Sequence, residues 1–167
     1  MEIRISGIEN DSIVDGPGLR FTIFVQGCPH HCEGCHNPQT HDFFSGQITD
    51  TDILFEHIKN NPLLDGVTFS GGEPFCQAKE LAILGAKIKK LGLNIITYTG
   101  YTIEYLANHS TDENGYKNLL EVCDYIVDGK FEINKKSYLL NFKGSSNQRI
   151  IDVNHYLKTS EIIETKL

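Results

Sequence analysis

One stretch directs the interpretation of the whole chain: Cys28-Pro29-His30-His31-Cys32-Glu33-Gly34-Cys35-His36-Asn37. Its three cysteines lie in a short loop after an apolar run, Leu19 to Val25. Because Pro29 and Gly34 allow tight turns, three thiolates can converge on one inorganic centre. Iron–sulfur clusters are held by thiolates, usually four of them. With only three, one iron stays open to an outside ligand, like the open position of a catalytic metal site.

The loop alone is compatible with two other kinds of site. A redox-active disulfide needs only the pair Cys32 and Cys35. A zinc site would combine the three cysteines with one histidine, namely His30, His31, His36 or His41. The choice between these sites and a cluster therefore depends on the rest of the chain.

Length and composition indicate a single globular domain, residues 1–167. The chain has 167 residues, 40% of them hydrophobic, and no low-complexity tract. No apolar run approaches the roughly 20 residues that cross a bilayer, and the N-terminus lacks a signal peptide pattern. Five cysteines, three of them crowded together, favour metal binding in a reducing compartment. We therefore expect a cytoplasmic protein.

The charge pattern gives little support to two classes of partner. The net charge is −7, from 15 basic and 22 acidic residues. No run of Lys and Arg indicates nucleic-acid binding. No basic amphipathic segment indicates a membrane surface. We expect neither nucleic acid nor membrane as a partner.

Strand and helix patterns alternate along the chain. The predicted strands are Glu2 to Ser6, Leu19 to Val25, Gly66 to Ser70, Leu93 to Thr97, Asp124 to Val127 and Arg149 to Val153. The predicted helices run from a cap at Thr49 or Asp50 to Lys59, from Gln77 to Leu91, for about two turns after Thr102, and from Tyr116 to Val122. The pattern assigns no structure to the segment after His155.

This alternation is typical of βαβ units and a parallel sheet. Polar and glycine-rich stretches follow the strands one after another, at the edge where α/β folds carry their sites. A closed eight-stranded barrel needs roughly 200 residues or more. We therefore predict an α/β fold: an incomplete, open β/α barrel with a mostly parallel sheet. Its open side would admit a ligand larger than a metabolite.

A second motif, Ser70-Gly71-Gly72-Glu73-Pro74, lies between a strand and a helix. Its glycines allow close approach to a ligand, and Glu73 can accept charge-assisted hydrogen bonds from an ammonium group. A phosphate loop is disfavoured because Glu73 would repel phosphate, whereas a plain strand-to-helix turn stays open. An amino acid could chelate the open iron while its ammonium meets Gly71 to Glu73. S-adenosylmethionine is such a molecule.

A rigid, exposed turn is predicted at Asp15-Gly16-Pro17-Gly18, just before Arg20. Two glycines around a proline make a positive φ at Gly18 the expectation. An ordinary tight turn is the alternative. Polar residues presented on a rigid loop often carry recognition, and we expect Asp15, Pro17 and Arg20 to contact a protein partner.

The chain resembles the radical S-adenosylmethionine enzymes, and among them the activating proteins of anaerobic ribonucleoside-triphosphate reductases. The resemblance extends from Ile13 to Val153. It rests on Val14 to Arg20, Gly27 to Pro38, Ser70 to Pro74, Tyr98 to Tyr101, Val127 to Phe131 and Gly144 to Arg149. Gly34 departs from the superfamily, which often has an aromatic residue before the third cysteine.

The resemblance implies a radical S-adenosylmethionine type of barrel that activates a glycyl-radical enzyme. A [4Fe–4S] cluster would cleave S-adenosylmethionine with an electron from a flavodoxin-like donor, and the resulting 5′-deoxyadenosyl radical would take hydrogen from a glycine. The implied partner is the large subunit of the reductase. The implied cluster ligands and catalytic residues are Cys28, Cys32 and Cys35. The implied cofactor-binding residues are Gly34, Cys35, His36, Gly71, Gly72, Glu73, Thr99, Asp128 and Lys130.

Two other functions stay open at this point. One is a radical S-adenosylmethionine enzyme acting on a small molecule, of the deazapurine-forming synthase type. The other is a non-catalytic zinc-binding interaction module. The short chain and the Asp15 to Gly18 turn favour the activase over the first, by resemblance. The remaining cysteines, Cys76 and Cys123, are predicted to be buried apolar residues.

Overall fold

An open seven-stranded sheet organises the computed structural model, which describes all 167 residues, Met1–Leu167. The strands are β1 (Glu2–Ser12), β2 (Arg20–Val25), β3 (Gln47–Asp50), β4 (Gly66–Gly71), β5 (Asn94–Tyr98), β6 (Tyr125–Asp128) and β7 (Arg149–Asp152). The helices are α1 (Thr51–Lys59), α2 (Ala78–Lys90), α3 (Ile103–Asn108), α4 (Tyr116–Val122) and α5 (Val153–Thr159).

The strand order is β3-β1-β2-β4-β5-β6-β7. The central strands β2, β4, β5 and β6 pair in parallel, whereas β1, β3 and β7 add antiparallel strands at the two sides. The two outer strands, β3 and β7, do not pair with each other, so the sheet stays open. The prediction of an open α/β barrel with a parallel centre is confirmed.

The two faces of the sheet have different surroundings because side chains alternate along each strand. Phe21, Ile23, Val67 and Phe69 point into the main core. That core also contains the apolar stripe of α2, which includes Leu81, Leu84 and Ile88. The opposite face carries a small cluster of Ile96, Val127 and Ile150, together with buried polar groups such as Thr22, Thr68 and Arg20. The second face therefore combines a small apolar cluster with buried polar side chains.

Most predicted elements lie within one or two residues of their observed positions. Asp50 caps α1 by accepting the Asp52 N–H, and the bounds of α4 are those predicted. Three features differ from the prediction: β1 continues to Ser12, β3 was not predicted, and α5 occupies part of the unassigned C-terminal segment. No helix combines the length and apolarity that a membrane span requires.

Candidate functional site

The loop from Cys28 to Cys35 (the cluster loop) begins where β2 ends, and its three cysteines line one cavity of about 120 Å³. The ends of the other parallel strands complete the wall. They contribute Ser70, Gly71 and Gly72 after β4, Tyr98, Thr99 and Gly100 after β5, and Gly129 after β6. The predicted gathering of polar strand ends at one edge is thus observed, as in other α/β sites.

Backbone hydrogen bonds, one of them to a residue outside the loop, hold the cluster loop in place. The N–H of Cys28 donates to the carbonyl of His41 (3.1 Å), and the N–H of Cys35 donates to the carbonyl of Cys32 (3.2 Å). Gly34 has a φ of +76°, and a Cβ there would lie 2.6 Å from Cδ1 of Ile133. The conformation therefore requires glycine at this position.

The thiols suit a multi-iron cluster in their chemistry. All three are free, and burial raises the pKa of the Cys28 thiol to about 11, so a nearby positive charge such as a bound metal would favour its thiolate form. No three Cys, His, Asp or Glu side chains are close enough to hold one metal ion together. A [4Fe–4S] cluster places each thiolate on a different iron, so three free cysteines that line one cavity fit its donor set.

The loop from Gly71 to Glu73 (the glycine loop) lies directly against the cluster loop. Its backbone donates from Gly72 N–H to the Val25 carbonyl (2.9 Å) and from Glu73 N–H to the Gly27 carbonyl (2.8 Å). A Cβ on Gly72 would lie 2.3 Å from the Gly27 oxygen. Glycine is therefore needed for the contact between the two loops, as well as for the open cavity wall.

Glu73 is fully buried, and the prediction that its carboxylate is free to meet an ammonium group is wrong. Oε1 accepts from Phe75 N–H (3.0 Å) and from the Thr99 hydroxyl (2.8 Å). Oε2 accepts from His30 Nε2 (2.6 Å), the Thr99 hydroxyl (2.9 Å) and Gly100 N–H (2.9 Å). A carboxylate offers about four lone-pair sites, so these contacts saturate it. Glu73 joins three loops and does not line the cavity.

Asp128 is likewise hydrogen-bonded within the protein, although it also lines a cavity with Cys32 and Lys130, and its expected role at the cofactor stays a prediction. Its carboxylate accepts from Arg149 Nε (3.0 Å) and Nη2 (2.6 Å), and from the Ile103 N–H (2.9 Å) that begins α3. Thr99 directs its hydroxyl to Glu73 but still lines the cavity. Lys130 is exposed and lies in a neighbouring cavity with His30 and Cys32.

The turn before β2 departs further from the prediction. Arg20 is fully buried, and its guanidinium donates to Thr68 Oγ1 (2.7 Å), the Val67 carbonyl (2.8 Å) and the Pro17 carbonyl (3.1 Å). Burial lowers the pKa of Arg20 to about 10. The expectation that Arg20 contacts a partner is therefore wrong, because this side chain holds the turn from inside. The positive φ predicted for Gly18 is confirmed, at +74°.

Asp15 and Pro17 remain partly accessible at the same turn. Asp15 Oδ2 accepts from the hydroxyls of Ser12 (2.5 Å) and Thr22 (3.1 Å). Asp15 also lines a large open groove of about 810 Å³ that reaches Cys35 and His36. Val14, 73% exposed, and Tyr138, 89% exposed, lie in the same groove. We name it the Cys35 groove.

The other cysteines lie away from the cavity. Cys123 is buried, as predicted, and its Sγ is 3.1 Å from Thr97 Oγ1 and 3.1 Å from the Leu119 carbonyl. Cys76 is exposed, so its predicted burial is wrong. Sequence reasoning also missed His30 and Arg149 as parts of the site. Both residues lie inside motifs on which the resemblance rests, but neither motif indicates the distant carboxylate that each side chain contacts.

Known proteins are similar to this chain over most of its length. Residues 14–151 match the family model described as 4Fe-4S single cluster domain. The anaerobic ribonucleoside-triphosphate reductase-activating protein of Pasteurella multocida is 31% identical, over 86% of this chain and 94% of its own length. The Vibrio cholerae protein of the same name is 34% identical, over 83% of this chain and 90% of its own length.

A second group of relatives is longer. The pyruvate formate-lyase-activating enzyme of Listeria monocytogenes is 34% identical over 95% of this chain, and this chain spans 64% of its length. Among solved structures, QueE from Escherichia coli has a TM-score of 0.49 and 18% sequence identity, over 80% of this chain and 73% of that one. This similarity is too low to bear on fold or function. From the family model and the full-length relatives, the chain belongs to the radical S-adenosylmethionine family of 4Fe-4S single-cluster proteins, together with the anaerobic ribonucleoside-triphosphate reductase-activating proteins.

Proposed function

We propose that this chain activates an anaerobic ribonucleoside-triphosphate reductase by generating a glycyl radical on its large subunit. The observation that carries the proposal is the shared cavity of three cysteines and the glycine loop, which adjoins the open Cys35 groove. The cofactors of the family are a [4Fe–4S] cluster and S-adenosylmethionine, and the donor set fits the cluster.

Cys28, Cys32 and Cys35 would hold three irons and leave the fourth open. The backbone of Gly71 and Gly72 would receive the amino group at the cavity wall. When bound and supplied with one electron by a flavodoxin-like donor, the two cofactors would provide radical chemistry: reductive cleavage of the sulfonium C–S bond would release methionine and leave a 5′-deoxyadenosyl radical able to take a hydrogen atom from a glycine. The chain itself binds, orients and shields the reacting groups.

Further cofactor contacts are proposed for residues around this wall. The backbone from Gly34 to His36 would lie along the cofactor. The Lys130 ammonium is exposed beside Cys32 and suits a carboxylate. Five free cysteines agree with a reducing compartment such as the cytoplasm.

The Cys35 groove supports a protein substrate rather than a metabolite. It is open, it reaches one of the proposed cluster ligands, and it carries exposed apolar side chains at Val14 and Tyr138. Exposed apolar groups rimmed by polar ones are typical of protein contact sites. We propose that Asp15 and Pro17 contact the glycine-bearing loop of the reductase from this side.

Pyruvate formate-lyase is a second candidate substrate, because the Listeria relatives carry that activity in their name. The reductase is favoured because relatives named for it match this chain over 90% or more of their own length. The match covers only 64% of the longer relatives' own length.

The test uses protein reconstituted with iron and sulfide without oxygen. We expect about four irons per chain, as one [4Fe–4S] cluster requires. With reduced flavodoxin, S-adenosylmethionine and the reductase large subunit, electron paramagnetic resonance should show a glycyl radical. Pyruvate formate-lyase, tested in parallel, should give little radical. Cleavage of S-adenosylmethionine without a radical on either protein would favour a small-molecule enzyme, and bound zinc without iron would favour an interaction module.

A further inference from the structure

A buried pair of side chains connects the cluster loop to the glycine loop. His30 lies between two proposed cluster ligands, Cys28 and Cys32, and its Nε2 is 2.6 Å from Oε2 of Glu73. The side chains of His30 and Glu73 are 6% and 0% exposed. Because an ionised carboxylate only accepts hydrogen bonds, Nε2 is the donor. The contact spans 43 residues of sequence and lies beside the cavity.

Two further contacts restrict the ring of His30. A Cβ added to Gly100 would lie 2.4 Å from Cδ2 of the imidazole, so the ring rests directly on the backbone after β5. On another side, the edge of the ring meets Tyr101, with ring centroids 4.5 Å apart. The Glu73 N–H also donates to the Gly27 carbonyl, one residue before Cys28. Glu73 thus holds the segment that contains Cys28 at both ends.

We propose that His30 is a positioning residue, which sets the position of the cluster loop relative to the glycine loop through its hydrogen bond to Glu73. This inference rests on the proposed function, since it concerns how two cofactor-binding loops are aligned. Cys28, Cys32 and Cys35 would hold the cluster without His30. His30 would fix the loop that carries these ligands relative to the glycine loop that would receive the amino group.

Loss of the imidazole has a specific physical consequence. His30→Ala removes one donor from a carboxylate that is fully buried, and it opens the space beneath Gly100. The cluster loop then loses its side-chain connection to Glu73, and only the backbone contacts at Val25 and Gly27, just before the loop, still join this segment to the glycine loop. Small displacements of reacting groups reduce activity strongly, because binding and catalysis depend on alignment.

The experiment compares His30→Ala, His30→Gln and a control at the next residue. His31 is exposed and has a φ of +49°, which Asn tolerates well, so the control is His31→Asn. All variants are reconstituted, and iron content, S-adenosylmethionine affinity and the electron paramagnetic resonance spectrum of the reduced cluster are measured. The spectrum is recorded with and without S-adenosylmethionine, so one readout does not depend on turnover.

We expect His30→Ala to keep about four irons, to bind S-adenosylmethionine roughly tenfold to a hundredfold more weakly, and to lose most of the spectral change on its addition. His30→Gln places an amide donor near the same position and should restore both readouts. His31→Asn should match the wild type. A merely structural role would not predict rescue by Gln, which differs from His in shape but keeps the donor.

Gly100→Ala provides a second variant that keeps the imidazole but displaces it from beneath the β5 end. It should resemble His30→Ala in both readouts. Wild-type affinity and spectra in His30→Ala would overturn the proposal, as would an equal loss in His30→Gln. Failure of the wild type to bind a cluster or cleave S-adenosylmethionine would instead overturn the proposed function.

Discussion

Three of the five cysteines share the cavity beside the glycine loop, and each is a separate test of the ligand set. Replacing Cys28, Cys32 or Cys35 by Ala should abolish binding of about four irons, because a cubane held by two thiolates lacks a protein ligand on a second iron. The measurement is iron per chain after reconstitution. Cys123→Ala and Cys76→Ala are the matched controls. Loss of iron in either control would show that the ligand set is wrong.

Cys123 makes the stability of the chain depend on pH. Burial raises the pKa of this thiol to about 12, whereas an unfolded cysteine ionises near its ordinary value of roughly 8.5. Between these values the folded chain binds the additional proton, so rising pH favours the unfolded state. The contribution of the protonated Cys123 thiol to the free energy of unfolding is fully present below about pH 8.5. Above that pH it declines by about 1.4 kcal/mol per pH unit.

Urea unfolding of the wild type and of Cys123→Ala, compared from about pH 7 to 10.5, measures this effect. The difference in unfolding free energy between the two proteins should be constant at the lower end. It should then change in favour of Cys123→Ala as pH rises. A difference that stays constant over the whole range would contradict the prediction.

Residues of the site differ in how far sequence could identify them. The cysteines were predictable because metal ligands come from one loop with a recognisable spacing. Glu73 was assigned to the cofactor and Arg20 to a protein partner, because the residues that they contact in the fold lie far away in sequence. His30 is 43 residues from Glu73, and Thr68 is 48 residues from Arg20. A charged side chain with no local partner resembles a free one until the fold supplies its partner.

Elements were predictable where local pattern and burial agree. The parallel strands β2 and β4 carry continuous runs of buried residues, and α2 carries buried residues at helical spacing, so both patterns appear in the sequence. Strand β3 has two exposed and two half-buried residues and no apolar alternation, and it forms only through pairing with β1. Its existence depends on tertiary contact, which a local pattern does not contain.

One ion pair joins the last residue of β6 to the first residue of β7 and supports the start of α3. Arg149 holds the carboxylate of Asp128, which is 1% exposed and also caps α3 at Ile103. Arg149→Met leaves this buried charge without its cation. We expect a loss of about 3–5 kcal/mol in unfolding free energy, measured in urea.

The matched control for Arg149→Met is Lys117→Met, at an exposed pair 3.9 Å from Glu121. That change should cost about 0.5 kcal/mol or less, because exposed ion pairs on a helix contribute little. Arg149→Lys should fall between the two, since Lys keeps the charge but loses the planar fork. A loss under about 1 kcal/mol for Arg149→Met would show that other groups solvate Asp128.

At the scale of the whole molecule, the open sheet explains why the cysteines and the glycine loop line the same cavity. Parallel strands bring four chain segments to one edge, where the cysteines and the glycine loop enclose the cavity. Because β3 and β7 do not close the sheet, the Cys35 groove remains open beside that cavity. Chain length indicated an open barrel, whereas the groove itself depends on the exposed segment around Tyr138, which has no pattern of its own.

The Cys35 groove leads to a prediction about the protein partner. Val14 is 73% exposed in this groove, and Leu63 is 74% exposed on the loop before β4, outside it. Val14→Asp places a charge where an apolar partner group is expected, whereas Leu63→Asp makes the same chemical change elsewhere. Burying one such side chain contributes roughly 1.5–3 kcal/mol, so Val14→Asp should lower glycyl-radical yield at limiting reductase at least about tenfold.

Asp15→Ala and Gly18→Ala should lower the radical yield as well, since one removes a polar group of the groove and the other strains a turn with a φ of +74°. The radical is counted by electron paramagnetic resonance. Cleavage of S-adenosylmethionine without the reductase is measured on the same samples and should fall much less. Equal loss of both activities in the Asp15 and Val14 variants would place this turn in cofactor binding. Equal loss of radical yield in Leu63→Asp would remove the groove from the partner interface, because the effect of the charge would then not depend on where it is placed.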